Sequence, residues 1–226
     1  MTSLRALLST LASQAGPVLT VYSKERVEFN GPVLARWFSK ISNLLSEELG
    51  ADLFGEGEAH SGRFFIRHEL WQEIVWTVPL LALGWTRLGS LEEAAPGDLV
   101  LVSTIDEDAL AACESGATVL AQPREYLAFS WRGDPLPTGI LDALAEVMAQ
   151  PDLLIGAPTG ALLPLEEVFE VVDESEGMKG VRIGLYAKAE IGAWRRASGV
   201  VLIDPDHYTK TEAEKVSAKE GQILWI

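Results

Sequence analysis

The sequence is poor in cysteine, in histidine and in positive charge. Its 226 residues include one cysteine, three histidines and 18 lysines and arginines against 33 acidic residues, for a formal net charge of −15. One cysteine cannot form an internal disulfide, so we expect a reducing, cytoplasmic setting. The negative charge repels phosphate backbones and anionic lipid, which argues against nucleic-acid and membrane-surface roles.

Long hydrophobic runs are also missing. The longest apolar stretch, residues 74–85, is well short of the ~20 residues that cross a bilayer. Near the N-terminus, Leu4, Leu7, Leu8 and Leu11 have helical spacing and no small-x-small cleavage site follows, which favours an amphipathic helix over a signal peptide. We therefore expect a soluble chain long enough to bury a large core.

Common catalytic signatures are absent too. No Gly-x-Ser-x-Gly pentapeptide occurs, and no cation flanks Cys113, so a buried structural thiol is favoured over a nucleophile. Asp204, Asp206 and His207 carry ligand-type side chains and would hold a metal ion if they converged. An Asp-Pro-Asp turn explains them without one, so we predict no metal site.

The apolar pattern predicts an α/β fold. Two short strands around a polar turn form a hairpin, Asn30 caps an amphipathic helix over residues 32–49, and strands and helices then alternate. Such alternation predicts a three-layer α/β/α domain with a largely parallel sheet. We expect one domain over residues 1–226, with an N-terminal hairpin and helices over 1–62 and the α/β core over 63–226. The predicted strands are residues 19–22, 27–29, 63–67, 85–88, 99–103, 117–121, 126–131, 153–155, 181–186, 200–203 and 222–225, and the predicted later helices are 69–83, 106–114, 140–148, 165–173, 189–197 and 211–218.

Ligands of parallel sheets bind at the carboxyl ends of the strands. The residues that follow each predicted strand are therefore the candidate pocket, although turns and helix caps are the more ordinary explanation of any single one of them. His68, for example, lies where a hydrogen bond at the start of a helix would account for it. The candidates for a pocket are His68, Thr104, Lys188, Asp204 and His207, with Gly156, Thr159 and Gly160 as a degenerate nucleotide-binding loop.

Several segments resemble the AMP-forming adenylating ligases, the acyl-CoA synthetase superfamily. The strand LTVY at residues 19–22 and the helix with Ser42-Asn43-Leu44-Leu45 are similar to the opening of that family. RFFIRHELWQEIVWTVPLLALGWTRL at 63–88 and GVRIGLYAKAEIGAWRRASGVVLID at 180–204 resemble later strand–helix–strand blocks. The resemblance is closest to short bacterial relatives and implies a fold like a truncated N-terminal ligase domain.

Departures from the family pattern bear on activity. The family's phosphate-binding loop ends in Pro-Lys-Gly, whereas the matching stretch here, residues 156–164, contains no lysine. The sequence ends at Ile226 before the family's later ATP, magnesium and lysine motifs. Without these cations an adenylation transition state is poorly stabilised. The resemblance therefore implies a chain without ligase activity alone, binding ATP or AMP with magnesium only if the ancestral site survives.

Two functions follow from this pattern. One is a binding or regulatory module, and the other is half of a split carboxylate–AMP ligase that another chain completes. We expect a homo-oligomer, most simply a dimer, because the apolar residues 223–226 suit a buried contact. A partner ligase chain is a second expected partner.

Overall fold

The computed structural model describes residues 2–48, 62–155, 162–163, 200–204 and 206–220. The chain divides into two compact units, one of Met1–Ala35 with Leu162–Ile226 and one of Arg36–Ala161. Each unit is described by itself below. The predicted single domain stays a prediction.

The first unit opens with a short strand and the expected amphipathic helix. Strand β1 (Thr2–Ser3) leads into helix α1 (Leu4–Ala12), and the Ser3 hydroxyl accepts a hydrogen bond from the Ala6 N–H. The four leucines with helical spacing are all buried. The predicted amphipathic helix is therefore confirmed.

The predicted hairpin and the helix that follows it are also present. Strands β2 (Pro17–Tyr22) and β3 (Arg26–Asn30) pair antiparallel. The Asn30 side chain accepts a hydrogen bond from the Val33 N–H at 2.9 Å, so it caps helix α2 (Gly31–Asn43) as expected. A π-helical turn, Leu44–Glu48, extends α2.

The second unit alternates strands and helices. Along the chain its elements are β4 (Arg63–Arg67), α3 (Leu70–Ala82), β5 (Thr86–Arg87), a 3₁₀ turn (Leu91–Glu93), β6 (Leu99–Val102), α4 (Glu107–Glu114), β7 (Thr118–Ala121), β8 (Ile140–Asp142) and α5 (Ala143–Ala149). Asp106 caps α4 by accepting a hydrogen bond from the Ala109 N–H. The cap and the alternation both follow the sequence prediction.

The five strands of this unit form one parallel sheet. Their spatial order is β5-β4-β6-β7-β8, and every neighbouring pair is parallel. The chain moves outward in one direction from β4 to β5 and in the other direction from β6 to β8. The point where the order reverses therefore lies between β4 and β6, which is where open α/β sheets bind ligands.

Side chains cover both faces of this sheet. Val100 and Val102 of β6 pack with α4 and the 3₁₀ turn in one apolar cluster. Leu99 and Leu101 alternate with them and are equally buried, so they face the opposite side. This arrangement is the mixed α/β, largely parallel fold that the sequence predicts, consistent with three layers.

The remaining described elements belong to the first unit. Strand β9 (Leu162–Leu163) pairs antiparallel with β1, and β10 (Val200–Ile203) lies parallel to β2. Helix α6 (Lys210–Glu220) closes the described chain. Predicted elements at residues 165–173, 181–186, 189–197 and 222–225 lie outside the described residues.

Three of the predicted elements are wrong in whole or part. Residues 126–131 form a turn and loop instead of a strand. Residues 153–155 are irregular as well. The helix predicted over 140–148 begins only at Ala143, because Asp142 caps it by accepting the Leu144 and Ala145 N–H groups and the residues before it form β8.

Helix α2 explains why residues 153–155 are no strand. The Asn43 amide donates to the carbonyls of Pro151 and Leu153, at 3.1 and 2.8 Å, and accepts from the Ile155 N–H at 2.8 Å. These backbone groups therefore bond to a side chain instead of a neighbouring strand. The Lys40 ammonium group holds the preceding turn through the carbonyls of Met148 and Gln150.

No described helix combines the length and the hydrophobicity that crossing a bilayer requires.

We predict that Gly31→Ala destabilises the protein by about 2 kcal/mol or more, because a Cβ there would lie 1.9 Å from the Leu11 carbonyl oxygen, a backbone atom that cannot swing away. Gly16→Ala is the matched control, since nothing lies within 4 Å of its added Cβ. Urea unfolding followed by circular dichroism measures both. Equal midpoints for the two variants would contradict the close approach.

Candidate functional site

The carboxyl edge of the five-stranded sheet carries a row of polar residues. Arg67 ends β4 and His68 follows it, Ser103 and Thr104 follow β6, and Gln122 follows β7. These positions flank the reversal of strand order between β4 and β6. Parallel strands bring their carboxyl ends to one edge, so the residues share one side of the sheet.

Arg67 has a structural partner at this edge. One of its terminal nitrogens lies 2.7 Å from both carboxylate oxygens of Asp106, the residue that caps α4. The Arg67 guanidinium, and next the Ala109 N–H, lower the pKa of the Asp106 carboxyl. Arg67 therefore holds the start of α4 against the end of β4.

His68 forms hydrogen bonds at this edge through both of its ring nitrogens. Nδ1 accepts a hydrogen bond from the Glu69 N–H at 2.8 Å, so the proton is on Nε2, which donates to the Gln122 carbonyl at 2.8 Å. This bond reaches from the end of β4 to the end of β7, past the intervening β6. Burial lowers the pKa of His68 to about 4.

Two further side chains of α3 form hydrogen bonds with residues 122–124. Gln72 donates its amide to the carbonyls of Pro123 and Arg124, at 3.3 and 3.0 Å. Trp76 donates its indole N–H to the Gln122 side-chain oxygen at 2.8 Å. Residues 68, 72 and 76 follow each other at steps of four, so they share one face of the helix and its start. Residues 122–124 are therefore held at three successive points.

These hydrogen bonds fix the position of the Arg124 backbone, and further contacts orient its side chain. Its Nε donates to the Ser103 hydroxyl at 3.1 Å, and its Nη1 lies 3.4 Å from a carboxylate oxygen of Glu69. The side chain is nevertheless 60% exposed. A guanidinium group is thus presented to solvent at the carboxyl ends of β6 and β7.

An open recess of about 260 Å³ lies beside this guanidinium. Most of its lining comes from the segment 123–133, which we name the arginine loop. The lining residues are Ser103, Pro123, Arg124, Glu125, Trp131, Arg132 and Gly133. Two guanidinium groups and a hydroxyl, beside the one carboxylate of Glu125, can together hold a small anionic ligand.

Trp131 is a fixed part of the recess. Its backbone N–H donates to the Asp142 carboxylate at 2.8 Å, and its indole N–H donates to the Asp134 carbonyl at 2.9 Å. A Cβ at residue 133 would lie 2.8 Å from the indole ring, so the ring needs the glycine found there. The indole ring is therefore held by Asp142 and Asp134, which follow the arginine loop in the sequence.

The sequence-predicted site residues are distributed over different places. His68 lies at the sheet edge with both nitrogens bonded, and Thr104 is exposed beside Ser103. Asp204 and His207 belong to the other unit, where a carboxylate oxygen lies 3.0 Å from the imidazole Nδ1. Gly156, Thr159, Gly160 and Lys188 lie outside the described residues. Which of these residues bind a ligand stays a prediction.

Asp204 also organises its own turn. Its second carboxylate oxygen accepts from the Asp206 N–H at 2.9 Å, as in an Asx turn. Among the described residues, no group of three histidine, cysteine or acidic side chains is placed to hold a metal ion.

Sequence reasoning missed Gln72, Arg124, Trp131 and Arg132. The spacing of His68, Gln72 and Trp76 was a usable signal, because polar groups at steps of four share one helix face within an otherwise apolar segment. Arg124 and Arg132 bracket a segment between Pro123 and Gly133, which are residues typical of loop ends. The nearly continuous run of apolar and aromatic residues over 126–131 predicted a strand instead.

We predict that stability falls as the pH drops from about 6.5 to about 4, because the unfolded chain protonates His68 in this range and the folded chain does not. The loss from this residue approaches about 3 kcal/mol at the acid end. His68→Gln should remove that part of the pH dependence, and it should also lower stability at pH 7.5 by about 1–3 kcal/mol through lost hydrogen bonds.

Urea unfolding at about pH 7.5 and at about pH 4 measures the free energy of unfolding of each variant. His207→Gln is the control, because it removes an exposed histidine and leaves His68 in place. Identical acid sensitivity of the wild type and His68→Gln would show that this imidazole is not held neutral.

Comparison with models of protein families gives no match, and a search of curated proteins gives none either. The resemblance to adenylating ligases therefore stays a prediction that depends on the sequence segments alone. The recess at the carboxyl edge is the candidate site on geometric grounds.

Proposed function

We propose that this protein is a binding or regulatory module on an adenylating-ligase-like fold, and that it holds a small anionic ligand in the recess of the arginine loop. The observation that carries this proposal is a fixed, exposed arginine at the carboxyl edge of the parallel sheet in a chain of net charge −15. An acidic protein repels anions over most of its surface. A local pair of guanidinium groups is what such a ligand requires.

The position of Arg124 supports this function. Its backbone carbonyl is held by Gln72, and its guanidinium is held by Ser103 and Glu69. A charged side chain that is already held in one orientation loses little conformational entropy when a ligand binds. The recess also lies at the carboxyl ends of β6 and β7, the edge of an open α/β sheet at which ligands bind.

The lining residues favour binding over catalysis. The seven residues that line the recess include no histidine, lysine or cysteine. The Ser103 hydroxyl has Arg124 as its hydrogen-bond donor, and an arginine cannot serve as a general base. A phosphate or carboxylate would be held here without an evident nucleophile to attack it.

A nucleotide or acyl-adenylate is the ligand that the ligase resemblance favours. With a volume of about 260 Å³, the recess suits a phosphate, a carboxylate or part of a nucleotide better than a whole cofactor. A reducing, cytoplasmic setting is part of the proposal, because one cysteine permits no internal disulfide.

We predict that AMP, ATP or a non-hydrolysable acyl-adenylate mimic binds with a Kd of about 1 mM or tighter. Arg124→Gln should weaken that binding about tenfold, because it removes a charged hydrogen-bond donor. Titration calorimetry with reductant present measures both, with inorganic phosphate as a further probe. Arg36→Gln is the matched control, since Arg36 is also 60% exposed but lies on α2.

Two results would contradict the binding proposal. One is no heat from any of the four probes at millimolar concentration. The other is equal weakening by Arg124→Gln and Arg36→Gln, which would assign the effect to overall charge. Binding only after the reductant is removed would contradict the cytoplasmic setting.

We further predict that the pure protein does not catalyse magnesium-dependent exchange between ATP and pyrophosphate with a panel of carboxylic acids. Neither the recess lining nor residues 156–164 of the sequence include a lysine to neutralise the triphosphate. An active adenylating ligase run in parallel is the control. Robust exchange by the pure protein would contradict the prediction that it has no adenylating activity alone.

A further inference from the structure

The recess of the arginine loop is lined by charges of both signs. Arg124 and Arg132 contribute guanidinium groups, and Glu125 contributes a carboxylate. A second carboxylate, that of Glu69, lies 3.4 Å from Arg124 and offsets its charge, and Asp134 directly follows the loop. The recess therefore offers an anion two charged donors without an excess of positive potential around them.

Two of these charges have no partner of their own. Among the residues that the structure describes, the Arg132 guanidinium and the Glu125 carboxylate form no ion pair or hydrogen bond, either with each other or with a third residue. Arg124 differs from them, since Ser103 and Glu69 both contact its guanidinium group. Opposite charges thus line one small recess and do not neutralise each other directly.

Trp131 is a better neighbour for a cation than for an anion. Its indole N–H, the only donor of the side chain, is already bonded to the Asp134 carbonyl at 2.9 Å. The face of an indole ring carries negative charge density, so it attracts ammonium groups and repels oxyanions. Trp131 and Glu125 therefore both favour a cationic group in the recess.

We infer that the recess binds a small zwitterion, a molecule in which an ammonium group lies a few bonds from a carboxylate or a phosphate. Arg124 and Arg132 hold the oxyanion, and Glu125 holds the ammonium group. The Ser103 hydroxyl accepts a hydrogen bond from Arg124 and keeps its own proton to donate to the oxyanion. The inference rests on the proposed function, because it assigns the same recess, and it narrows the ligand from any small anion to one with a cation attached.

A zwitterion suits this recess better than a simple ion does. Once guanidinium groups hold its oxyanion, its ammonium group is already close to the carboxylate, so the second contact is intramolecular. A simple anion would instead be repelled by Glu125, and a simple cation by Arg132. The volume of about 260 Å³ is small for a pocket and fits a molecule of few atoms.

The charge of the whole chain favours the same class of ligand. A net charge of −15 repels anions before they reach the recess. A molecule whose charges nearly cancel approaches without that repulsion, and it is sorted only by the charges that it meets in the recess. Binding and approach therefore both favour a zwitterion over an anion of the same size.

The test compares ligands that differ in the ammonium group alone. β-Alanine is compared with propionate, and phosphoethanolamine with ethyl phosphate, by saturation-transfer difference NMR on the wild-type protein. A zwitterion should bind at least about fivefold more tightly than its matched anion, because it gains an ion pair and avoids a repulsion. The pair that shows this preference identifies the oxyanion, carboxylate or phosphate, that the recess holds.

Glu125→Gln should change the affinities of the two ligand types in opposite directions. It removes the partner of the ammonium group, so the preferred zwitterion should bind about fivefold more weakly. It also removes a repulsive charge, so propionate and ethyl phosphate should bind equally well or more tightly.

Glu114→Gln is the matched control for the loss of one negative charge. Glu114 is also exposed, but it is the last residue of α4, which leads from the carboxyl end of β6 to the start of β7 and so ends at the opposite edge of the sheet. This variant should leave all four affinities unchanged. Far-UV circular dichroism confirms that each variant is folded.

Three outcomes would overturn the inference: no binding of either zwitterion at tens of millimolar, equal affinity of each zwitterion and its matched anion, or a Glu125→Gln effect of the same sign on both ligand types. Equal affinities would leave the proposed function in place if Arg124→Gln still weakens binding of the anions. Absence of binding by every anion, AMP and inorganic phosphate included, would reject the proposed function itself.

Discussion

The candidate site depends on one set of hydrogen bonds, between the start and first turns of α3 and residues 122–124. His68, Gln72 and Trp76 supply these bonds from one helix face. They join the end of β4 to the end of β7 and satisfy backbone carbonyls that no neighbouring strand reaches. Together with the contacts of Arg124 to Ser103 and Glu69, they hold the start of the arginine loop at the carboxyl edge. The position of the recess follows from this attachment.

The same bonds determine the electrostatics of the edge. His68 is neutral, so the side chains that bond to residues 122–124 carry no charge. The positive charge near the recess therefore comes from Arg124 and Arg132. Glu69 and Glu125 lie close enough to moderate it. The proposed binding of an anion therefore depends on the two exposed guanidinium groups and not on an excess of positive charge at this edge.

The periodic elements could be predicted from the sequence, and the loops of the site could not. Apolar periodicity, the Asn30 and Asp106 caps and the buried β6 gave the α/β class and the parallel sheet. Residues 126–131 and 153–155 have strand-like patterns, yet distant side chains decide their conformation. Gln72 fixes the start of the arginine loop, and Asn43 bonds three backbone groups within residues 151–155. Such contacts join residues 51 to 112 positions apart, so no local sequence pattern indicates them.

Asn43 also shows how little a family-like motif says about activity. It lies in the Ser42-Asn43-Leu44-Leu45 segment that resembles adenylating ligases, and here its amide forms hydrogen bonds with backbone groups of residues 151–155. Ser42 likewise donates to the Phe38 carbonyl within its own helix. Both side chains thus form hydrogen bonds within this fold, and such bonds do not by themselves indicate that a carboxylate is activated. Function must therefore be argued from the groups that reach solvent, which at the carboxyl edge include Thr104, Arg124 and Arg132.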